Sequence, residues 1–499
     1  MQSASALVRT WEGRVVLALA LLAGLRVLCF SLAFPFFSNV DEYRHFDVVL
    51  KFSRGYWPTP GPDAYETETA GFVGRFGSPE YLRDPLTPAQ VEVPPPAWLQ
   101  SDDFGRKRVE STRRYLSGRH SLEADQPPVY YATAGAWMSL GRGLGIHGLR
   151  LLYWVRGLGV VVAIGVVIAA WILLRDVYPD NRFLRLGTPL LLASFPQDAL
   201  YYITADAFSP LLGALGLLLV LRLMVRPDAG LGAYAAAGAM LAAAFLNKYP
   251  NVAVLVACAV PTIVSLRRGE AGRLGRWAVL WAVALTPGAL WMGRNLLRVG
   301  DLTGTAFKIE RLGWGRKGVG ELFDHPLFTP GGAWTFLSDM IPRFWRGELV
   351  WYQHELGWAA ADWTYALTSL FFVGLAAVAI RNGARPIQPR LGEATALLAV
   401  AGGVAVLAGL SLLFVFGEDT SPSAAYPYFV QGRLISGVLV PFAWLYVRGI
   451  EVATARLPGA LANRVAWALL LAVVLLAWIS EIVVTRPVFA SAYNGFHLP

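Results

Sequence analysis

Two adjacent carboxylates, Asp41 and Glu42, follow the first long apolar run of the chain. A carboxylate beside apolar helices is partly desolvated, which raises its pKa toward the range of a general base. This chemistry suits proton abstraction from a substrate, or metal binding, at the level of the lipid headgroups. A solvated loop start with Arg44 as the local counter-ion explains the same spacing. The spacing alone does not decide between these interpretations.

Three cationic residues, Lys248, Arg294 and Arg433, stand at the ends of later apolar runs. An ionisable residue at such a boundary is a functional hypothesis. The alternatives are snorkelling for Lys248 and interfacial anchoring for the two arginines. Asp206 lies between two apolar runs and is a candidate to bind a metal or an acceptor. It is equally a candidate to cap the helix that follows, and both roles can hold at once. Asp198, which ends the preceding run, is a weaker candidate.

A later polar stretch combines aromatic rings with carboxylates, in F-W-R-G-E at 344–348 and in W-Y-Q-H-E at 351–355. Sugar faces stack on aromatic rings while polar groups bind the hydroxyls, so Trp351, His354 and Glu355 are candidates for substrate binding. No H-E-x-x-H pattern supports a metal site there. The sequence also lacks a P-loop, a zinc finger and a nucleophile elbow.

The elements that carry these residues are membrane helices. Hydrophobic residues make up 55% of the 499 positions and charged residues only 15%, against about a quarter charged in soluble proteins. The apolar runs are long enough to cross a hydrocarbon core of about 30 Å. We predict an all-α protein with about eleven spans, at 15–36, 149–174, 183–202, 207–225, 230–247, 250–266, 276–293, 363–380, 391–416, 431–449 and 464–484.

The arginines predict the orientation of these spans. They cluster before the first span and in every second short connection, so all the clusters fall on one side. That side should be cytoplasmic, with the amino terminus inside and the carboxyl terminus outside. Orientation therefore explains the net charge of +9 better than nucleic-acid binding. Cys29 and Cys258 lie in apolar runs and build no disulfide framework.

Two long connections, 37–148 and 294–362, fall on the opposite side. Loops of this length are usually functional or disordered, and their Trp, Tyr, Pro and Gly content argues against disorder. The apolar stretch 129–140 is too short for a span and should lie along the membrane surface. The predicted organisation is a core at 1–294 that includes the first loop, a second loop at 295–362, and carboxyl-terminal spans at 363–499. The cytoplasmic connections are too short for a nucleotide sugar, which favours a lipid-linked donor.

An acidic pair after the first span, followed by a large outer loop, resembles the GT-C superfamily of membrane glycosyltransferases, which includes protein mannosyltransferases and the aminoarabinose transferase of lipid A. The chain resembles more closely a bacterial membrane-protein family of that superfamily, catalogued as a domain of unknown function. The resemblance covers about residues 15–450. The segments that carry it are D-Q-P-P-V-Y-Y at 125–131, T-A-D-A at 204–207, L-N-K-Y at 246–249, Q-G-R-L at 431–434, and R-N at 294–295 with G-D at 300–301. Ala205 and Asn247 depart from the usual Asn and Thr.

The resemblance implies transfer of a sugar from a polyprenyl phosphate to a glycan, lipid or protein outside the cell, with inversion. It assigns the catalytic site to Asp41 and Glu42, with Asp41 as the general base. Glu42 would share a proton with it, orient it or help to bind a metal. Lys248, Arg294 and Arg433 would then bind the leaving phosphate. Asp206, with His45 and Gln126, is expected at the acceptor or substrate. One cavity at the outer interface of a bacterial inner membrane should bring together six of them: Asp41, Glu42, Asp206, Lys248, Arg294 and Arg433.

The sequence leaves several points open. A divalent cation, Mg²⁺ or Mn²⁺, is neither required nor excluded, and the sugar and acceptor are not specified. A transporter or flippase for lipid-linked glycans would carry inverted repeats and broken helices near the membrane midplane, which the sequence does not display. A non-catalytic envelope scaffold with the same fold is a further alternative.

Overall fold

The computed structural model describes residues 10–37, 41–57, 62–81, 93–226, 228–269, 271–383, 387–418 and 421–497. Most of the described residues are helical and very few are in strands, as the long apolar runs predict. The α-helices of the described residues are Trp11–Ala33 (α1), Glu42–Ser53 (α2), Thr67–Phe76 (α3), Asp102–Leu116 (α4), Val129–Gly143 (α5), Gly148–Val177 (α6), Arg182–Ala193 (α7), Ser209–Val225 (α8), Leu231–Asn247 (α9), Val252–Ala257 (α10), Ala259–Arg267 (α11), Leu274–Val299 (α12), Ala306–Arg311 (α13), Pro330–Arg346 (α14), Ala359–Asn382 (α15), Ile387–Leu413 (α16), Leu439–Thr454 (α17) and Gly459–Phe489 (α18).

Eight helical stretches of the described chain are long and apolar enough to cross a membrane. They are α1, α6, α8 with the turn from Ala205, α10–α11 with the turn from Tyr249, α15, α16, α17 with the turn from Gly432, and α18. Within a bilayer the backbone polar groups must be satisfied internally, and helices achieve this within one segment. The chain is a multi-pass all-α membrane protein.

The other three predicted spans, 183–202, 230–247 and 276–293, are not among these eight stretches. The stretch 183–202 is not one helix, because α7 ends at Ala193 and a separate 3₁₀ turn follows at Asp198–Tyr201. Pro196 lies between them and cannot donate a helical hydrogen bond. Helix α9 is apolar but has 17 residues. Helix α12 has 26 residues but contains Pro287 and basic residues near both ends, so it is less apolar than the eight.

Helix α17 lies at the centre of the bundle. In the most apolar part of the α17 stretch, 89% of the residues are buried inside the protein, against 28% in α15 and 28% in α16. Gly449 allows α15 to approach closely, since a Cβ there would lie 2.0 Å from the carbonyl oxygen of Phe372. A side chain at this position would push the two helices apart.

The two long loops fold against each other on one face of the bundle. The first contains α2 to α5, and the second contains α13, α14 and a small hairpin whose strands Val350–Trp351 (β2) and His354–Glu355 (β3) pair antiparallel. The strand Gly315–Arg316 (β1) pairs with Phe414–Val415 (β4). The backbone N–H of Tyr352 donates to the carbonyl oxygen of Glu80 at 3.0 Å, and the Trp351 ring packs edge-on against Tyr81. The predicted surface helix at 129–140 is the amphipathic α5, which is partly buried against the bundle.

Candidate active site

The site begins where three membrane helices start. Asp206 lies in the 3₁₀ turn Ala205–Phe208, directly before α8, and its side chain is 1% exposed. The amide of Asn247 donates to the carbonyl oxygen of Ala205 at 2.9 Å and to Ser209 Oγ at 2.9 Å. These bonds fasten the end of α9 to the start of α8, so Lys248 Nζ lies 2.6 Å from Asp206 Oδ1. Lys248 forms a buried ion pair and does not snorkel.

Arg433 reaches the same carboxylate from the start of the α17 stretch. Ser436 Oγ donates to the backbone carbonyl of Asp206 at 2.9 Å, which holds the 3₁₀ segment Gly432–Val438 against the Asp206 turn. Arg433 Nε then lies 3.5 Å from Asp206 Oδ2, and Arg433 Nη1 donates to Glu348 Oε2. Thr204 Oγ1 accepts the backbone N–H of Asp206, so Thr204 caps this turn. The carboxylate of Asp206 is therefore the partner of two cations, and within the described part of the chain it caps no helix.

Two glycines allow the loop after α14 to enter the site. Gly347 has φ +83° and ψ −161°, a backbone conformation restricted to glycine, and a Cβ there would lie 1.8 Å from Asp198 Oδ1. At Gly432 a Cβ would lie 2.2 Å from the backbone nitrogen of Phe344. The two close approaches position Glu348 beside Arg433.

Asp198 completes a group of five charged side chains that we call the Asp206 cluster: Asp198, Asp206, Lys248, Glu348 and Arg433. Asp198 Oδ2 accepts the backbone N–H of Glu348 at 3.0 Å. Burial, together with the nearby Glu348 carboxylate, raises the pKa of Asp198 to about 7. Asp198 is therefore more important to this site than its position in the sequence suggested.

Asp41 lies at the start of α2 with a left-handed backbone, φ 65°, which is strained for a residue with a Cβ. Its carboxylate is 2.8 Å from Arg44 Nη1 and 30% exposed. It acts electrostatically on Arg433 and on Lys308. Asp41 therefore lies within electrostatic range of one member of the Asp206 cluster, Arg433. The convergence of the base and the cations on one cavity stays a prediction.

His45 connects the two groups. Its Nδ1 lies 2.7 Å from the hydroxyl of Tyr131, and its Nε2 lies 3.4 Å from Thr204 Oγ1. Thr204 Oγ1 donates in turn to Asp206 Oδ2 at 3.2 Å. Burial disfavours the imidazolium and lowers the pKa of His45 below its usual value, although the Glu123 carboxylate opposes this effect.

Glu42 lies in a buried hydrogen-bond network that indicates a structural role. Its two oxygens accept from Arg156 at 2.7 and 2.8 Å, and they also accept the backbone N–H groups of Phe37 and Ile203. Both side chains of the pair are fully buried. Arg156 also donates to the carbonyl oxygen of Pro35 at 3.0 Å. Glu42 therefore fixes the exit of the first span to α6, beside the position of Asp41.

Lys308 and Glu123 are polar groups of this region to which the sequence gave no role. Lys308 Nζ, from α13 in the second loop, lies 2.6 Å from Glu123 Oε1 in the first loop. Burial disfavours the charged lysine, but Glu123 and then Asp41 outweigh it, so the pKa of Lys308 is raised. No linear motif signals this pair, because it depends on how the two loops fold together.

The other candidates lie outside the cluster. Arg294 packs over the Trp291 ring and donates to Asn295 at 3.3 Å. Gln126 occupies the turn before α5, where its backbone N–H donates to the Glu123 carbonyl oxygen at 3.2 Å. In the hairpin, Trp351 is buried while His354 and Glu355 are exposed. The Glu355 carboxylate bridges Arg343 and Arg346.

Within the described ranges, no group of three or more His, Cys, Asp or Glu side chains is arranged to hold a metal ion. The carboxylates nearest the reaction region, Asp41 and Asp206, face cationic side chains. A divalent cation there remains a hypothesis.

No protein-family model matches this chain, and no curated protein sequence matches it. Several solved structures do match this chain. The apo oligosaccharyltransferase of Archaeoglobus fulgidus aligns with 98% of this chain and 57% of its own length, at a TM-score of 0.50 and 12% identity. ArnT of Cupriavidus metallidurans bound to undecaprenyl phosphate aligns with 97% of this chain and 74% of its own length, at a TM-score of 0.44 and 15% identity.

The same archaeal enzyme, AglB, in complex with an inhibitory peptide and a dolichol phosphate gives a TM-score of 0.46 at 10% identity, over 95% of this chain and 56% of its own. This chain thus spans little more than half the length of the oligosaccharyltransferase. The likeness to the apo enzyme concerns the fold alone: the chain shares the overall helical membrane fold of that protein.

Proposed function

We propose that this protein is a membrane glycosyltransferase that transfers a sugar from a polyprenyl phosphate to an extracytoplasmic glycan, lipid or protein. One observation carries the proposal. Lys248 and Arg433 meet at the buried carboxylate of Asp206, and the Asp41 carboxylate lies within electrostatic range of Arg433. The GT-C-type fold agrees with this activity.

The start of each contributing helix favours an anionic ligand. The stretches from Ala205, from Tyr249 and from Gly432 all begin at this site. The amino-terminal end of a helix carries a partial positive charge and unpaired N–H groups, which attract phosphate. Lys248 and Arg433 add full charges at the same ends. The departing phosphate is already a stable anion, so cations rather than a general acid would assist its departure.

Asp41 is the proposed general base. Its partly exposed carboxylate takes the proton of an acceptor hydroxyl while that oxygen bonds to the anomeric carbon of the donor. The bond from that carbon to the phosphate oxygen breaks, and its electron pair leaves with the polyprenyl phosphate. Attack from the opposite face inverts the anomeric centre. The buried His45 lies one turn further along α2 and helps to hold the Thr204–Asp206 turn in register.

The bacterial inner membrane with the site on its outer face is the proposed location. Arginine clusters occupy the short connections opposite the two long loops, which supports a cytoplasmic amino terminus. The cluster sits at helix ends on the loop face, where a headgroup carried by a lipid can reach it.

The decisive experiment follows chemistry directly. Purified protein in nanodiscs is incubated with a panel of polyprenyl-phosphate sugars, and release of free polyprenyl phosphate is measured. We expect release with at least one donor and a loss of about a thousandfold in Asp41→Asn, within the usual range for removal of a general base. Asp41→Asn should keep the wild-type melting temperature, because Asp41 is partly exposed.

The matched control is Asp103→Asn, which removes an exposed carboxylate from the same loop. It should keep full turnover. Wild-type turnover by Asp41→Asn would remove Asp41 from the mechanism. If no donor in a complete panel is cleaved while the protein in sealed proteoliposomes moves a labelled lipid-linked glycan across the bilayer, the protein is a transporter and the proposed function is wrong.

A further inference from the structure

The cation that we assign to the donor phosphate already has an anionic partner. Arg433 Nη1 donates to Glu348 Oε2, and the arginine side chain is 17% exposed. A largely buried guanidinium requires a counter-ion, and an anion that replaces the first must offer the same charge. A phosphate that binds the Nη1 edge of Arg433 must therefore displace the Glu348 carboxylate.

The second carboxylate near Arg433 is held more firmly. Asp206 has Lys248 at 2.6 Å on one oxygen and the Thr204 hydroxyl at 3.2 Å on the other. Its backbone carbonyl is also bound by Ser436. Asp206 thus remains in place when the anion at Arg433 changes.

Glu348 is held at one oxygen. Among the residues that the structure describes, its Oε1 is buried and has no hydrogen-bond partner. An unsatisfied buried oxygen disfavours the observed side-chain position, and burial correspondingly raises the pKa of Glu348. The charged groups that face this carboxylate are Arg433, Arg343, Glu355, Asp206 and Asp198.

The backbone of Glu348 is anchored independently of its side chain. Its N–H donates to Asp198 at 3.0 Å, and Gly347 packs against the same carboxylate. Rotation about the side-chain torsions of Glu348 can therefore release Arg433 without unfolding the loop after α14.

We propose that Glu348 is a placeholder for the donor phosphate, neutralising Arg433 in the empty protein and leaving it when a lipid-borne phosphate binds. This inference rests on the proposed function, because that function assigns Arg433 to the phosphate. Glu348 is then a positioning residue that keeps the empty site satisfied and sets phosphate affinity by competition.

The test measures binding, without turnover. Undecaprenyl phosphate is titrated into the full-length protein in nanodiscs, and its Kd is determined for each variant. Glu348→Gln keeps the size of the side chain but removes the competing charge. We expect its Kd to fall about tenfold, equivalent to 1.4 kcal/mol. Arg433→Gln should bind at least about tenfold more weakly than wild type, since it loses a charge-assisted hydrogen bond.

The double variant Glu348→Gln/Arg433→Gln gives the most discriminating measurement. If Glu348 competes only through Arg433, the gain from Glu348→Gln disappears once Arg433 is gone. Inorganic phosphate is titrated in parallel. Competition with the lipid at millimolar concentration would identify the phosphate group itself as the ligand of this subsite. Binding by the lipid alone would identify the lipid-borne phosphate as the source. Displacement of Glu348 itself is decided by the Kd values of the variants.

Asp362→Asn is the control, because Asp362 pairs with Arg346 at 2.8 Å and not with Arg433. The Kd of this control should stay at the wild-type value. If Asp362→Asn tightened binding as much as Glu348→Gln, the effect would come from the loss of any nearby negative charge, and the inference would be overturned. An unchanged or weaker Kd in Glu348→Gln would also overturn it.

If Glu348→Gln fails to fold by size exclusion, Glu348→Asp replaces it, since its shorter side chain loosens the contact with Arg433 and should also tighten binding. A failed transfer assay with a tighter Glu348→Gln would reject the proposed function alone. A successful transfer assay without the gain would reject the placeholder alone.

Discussion

Charges of opposite sign alternate through the Asp206 cluster. Lys248 pairs with Asp206, Asp206 also faces Arg433, and Arg433 pairs with Glu348. Each of these side chains is largely buried, so each charge depends on its neighbour for compensation. Removal of one member consequently leaves another uncompensated, and stability and phosphate binding should change together at these positions.

Substitutions at Lys248 can separate the effect on stability from the effect on phosphate binding. Lys248→Met leaves Asp206 with Arg433 alone, and breaking a buried pair costs about 3–5 kcal/mol. The melting temperature in nanodiscs should fall and phosphate release should be lost. Lys248→Met/Asp206→Asn removes both charges and should recover most of the melting temperature without recovering turnover. Recovery of turnover in the double variant would show that the pair is structural.

The sequence identified Asp206, Lys248 and Arg433 because each stands at the boundary of an apolar run, where a charge is energetically expensive. It did not identify which of them pair. Arg294, which was predicted to join them, packs over the Trp291 ring. It marked the segment that contains Glu348 but gave no role to that carboxylate. Glu123 and Lys308 are 185 positions apart, and only the folded loops bring them together.

At the level of elements, the connections between helices build the site. The 3₁₀ turns before α8, α10 and α17 and the glycine turn after α14 carry the charged side chains. Apolar runs predict spans because their length and composition suffice. The break in the 183–202 run depends on a single proline and on polar groups that the bundle satisfies, so composition did not reveal it.

Gly347 tests whether this arrangement depends on the glycine turn. In Gly347→Ala the new Cβ overlaps the Asp198 carboxylate, and the backbone conformation is strained, at a cost of about 1–3 kcal/mol. We expect a lower melting temperature and weaker binding of undecaprenyl phosphate, because Glu348 and Asp198 both shift. Gly331→Ala lies in α14 with open space around the new Cβ and should behave as wild type. A Gly347→Ala protein with normal binding would show that the turn tolerates another conformation.

At the scale of the whole molecule, buried ion pairs join segments that are distant in sequence. Arg156 and Glu42 fasten the chain after the first span to α6, and Lys308 and Glu123 join the two loops. The apolar pattern of the sequence predicted the helical membrane fold because lipid imposes it. These pairs were not predicted, because an isolated arginine or glutamate in an apolar run does not reveal its partner.

The ion pair between the first and last membrane helices should support the site from a distance. Arg26 Nη1 donates to Glu481 Oε1 at 2.7 Å and to the Tyr201 hydroxyl at 2.6 Å, and its Nη2 donates to the Phe195 carbonyl oxygen at 2.6 Å. One guanidinium thus holds α1, α18 and the segment that carries Asp198. Glu481→Leu leaves this charge uncompensated in an apolar environment, with an expected loss of about 3–5 kcal/mol.

Thermal unfolding in nanodiscs, together with phosphate release, separates the charge from the hydrogen bonds of this pair. Arg26→Leu/Glu481→Leu should unfold at a higher temperature than Glu481→Leu, since no unpaired charge remains. Its turnover should stay below wild type, because the bond to Phe195 is gone and the segment before Asp198 loses its support. Glu12→Gln, which removes a more exposed partner of Arg185 on the same α1, should cost less than about 1 kcal/mol. Equal melting temperatures for Glu481→Leu and Glu12→Gln would mean that the first and last helices are held together by packing rather than by this pair.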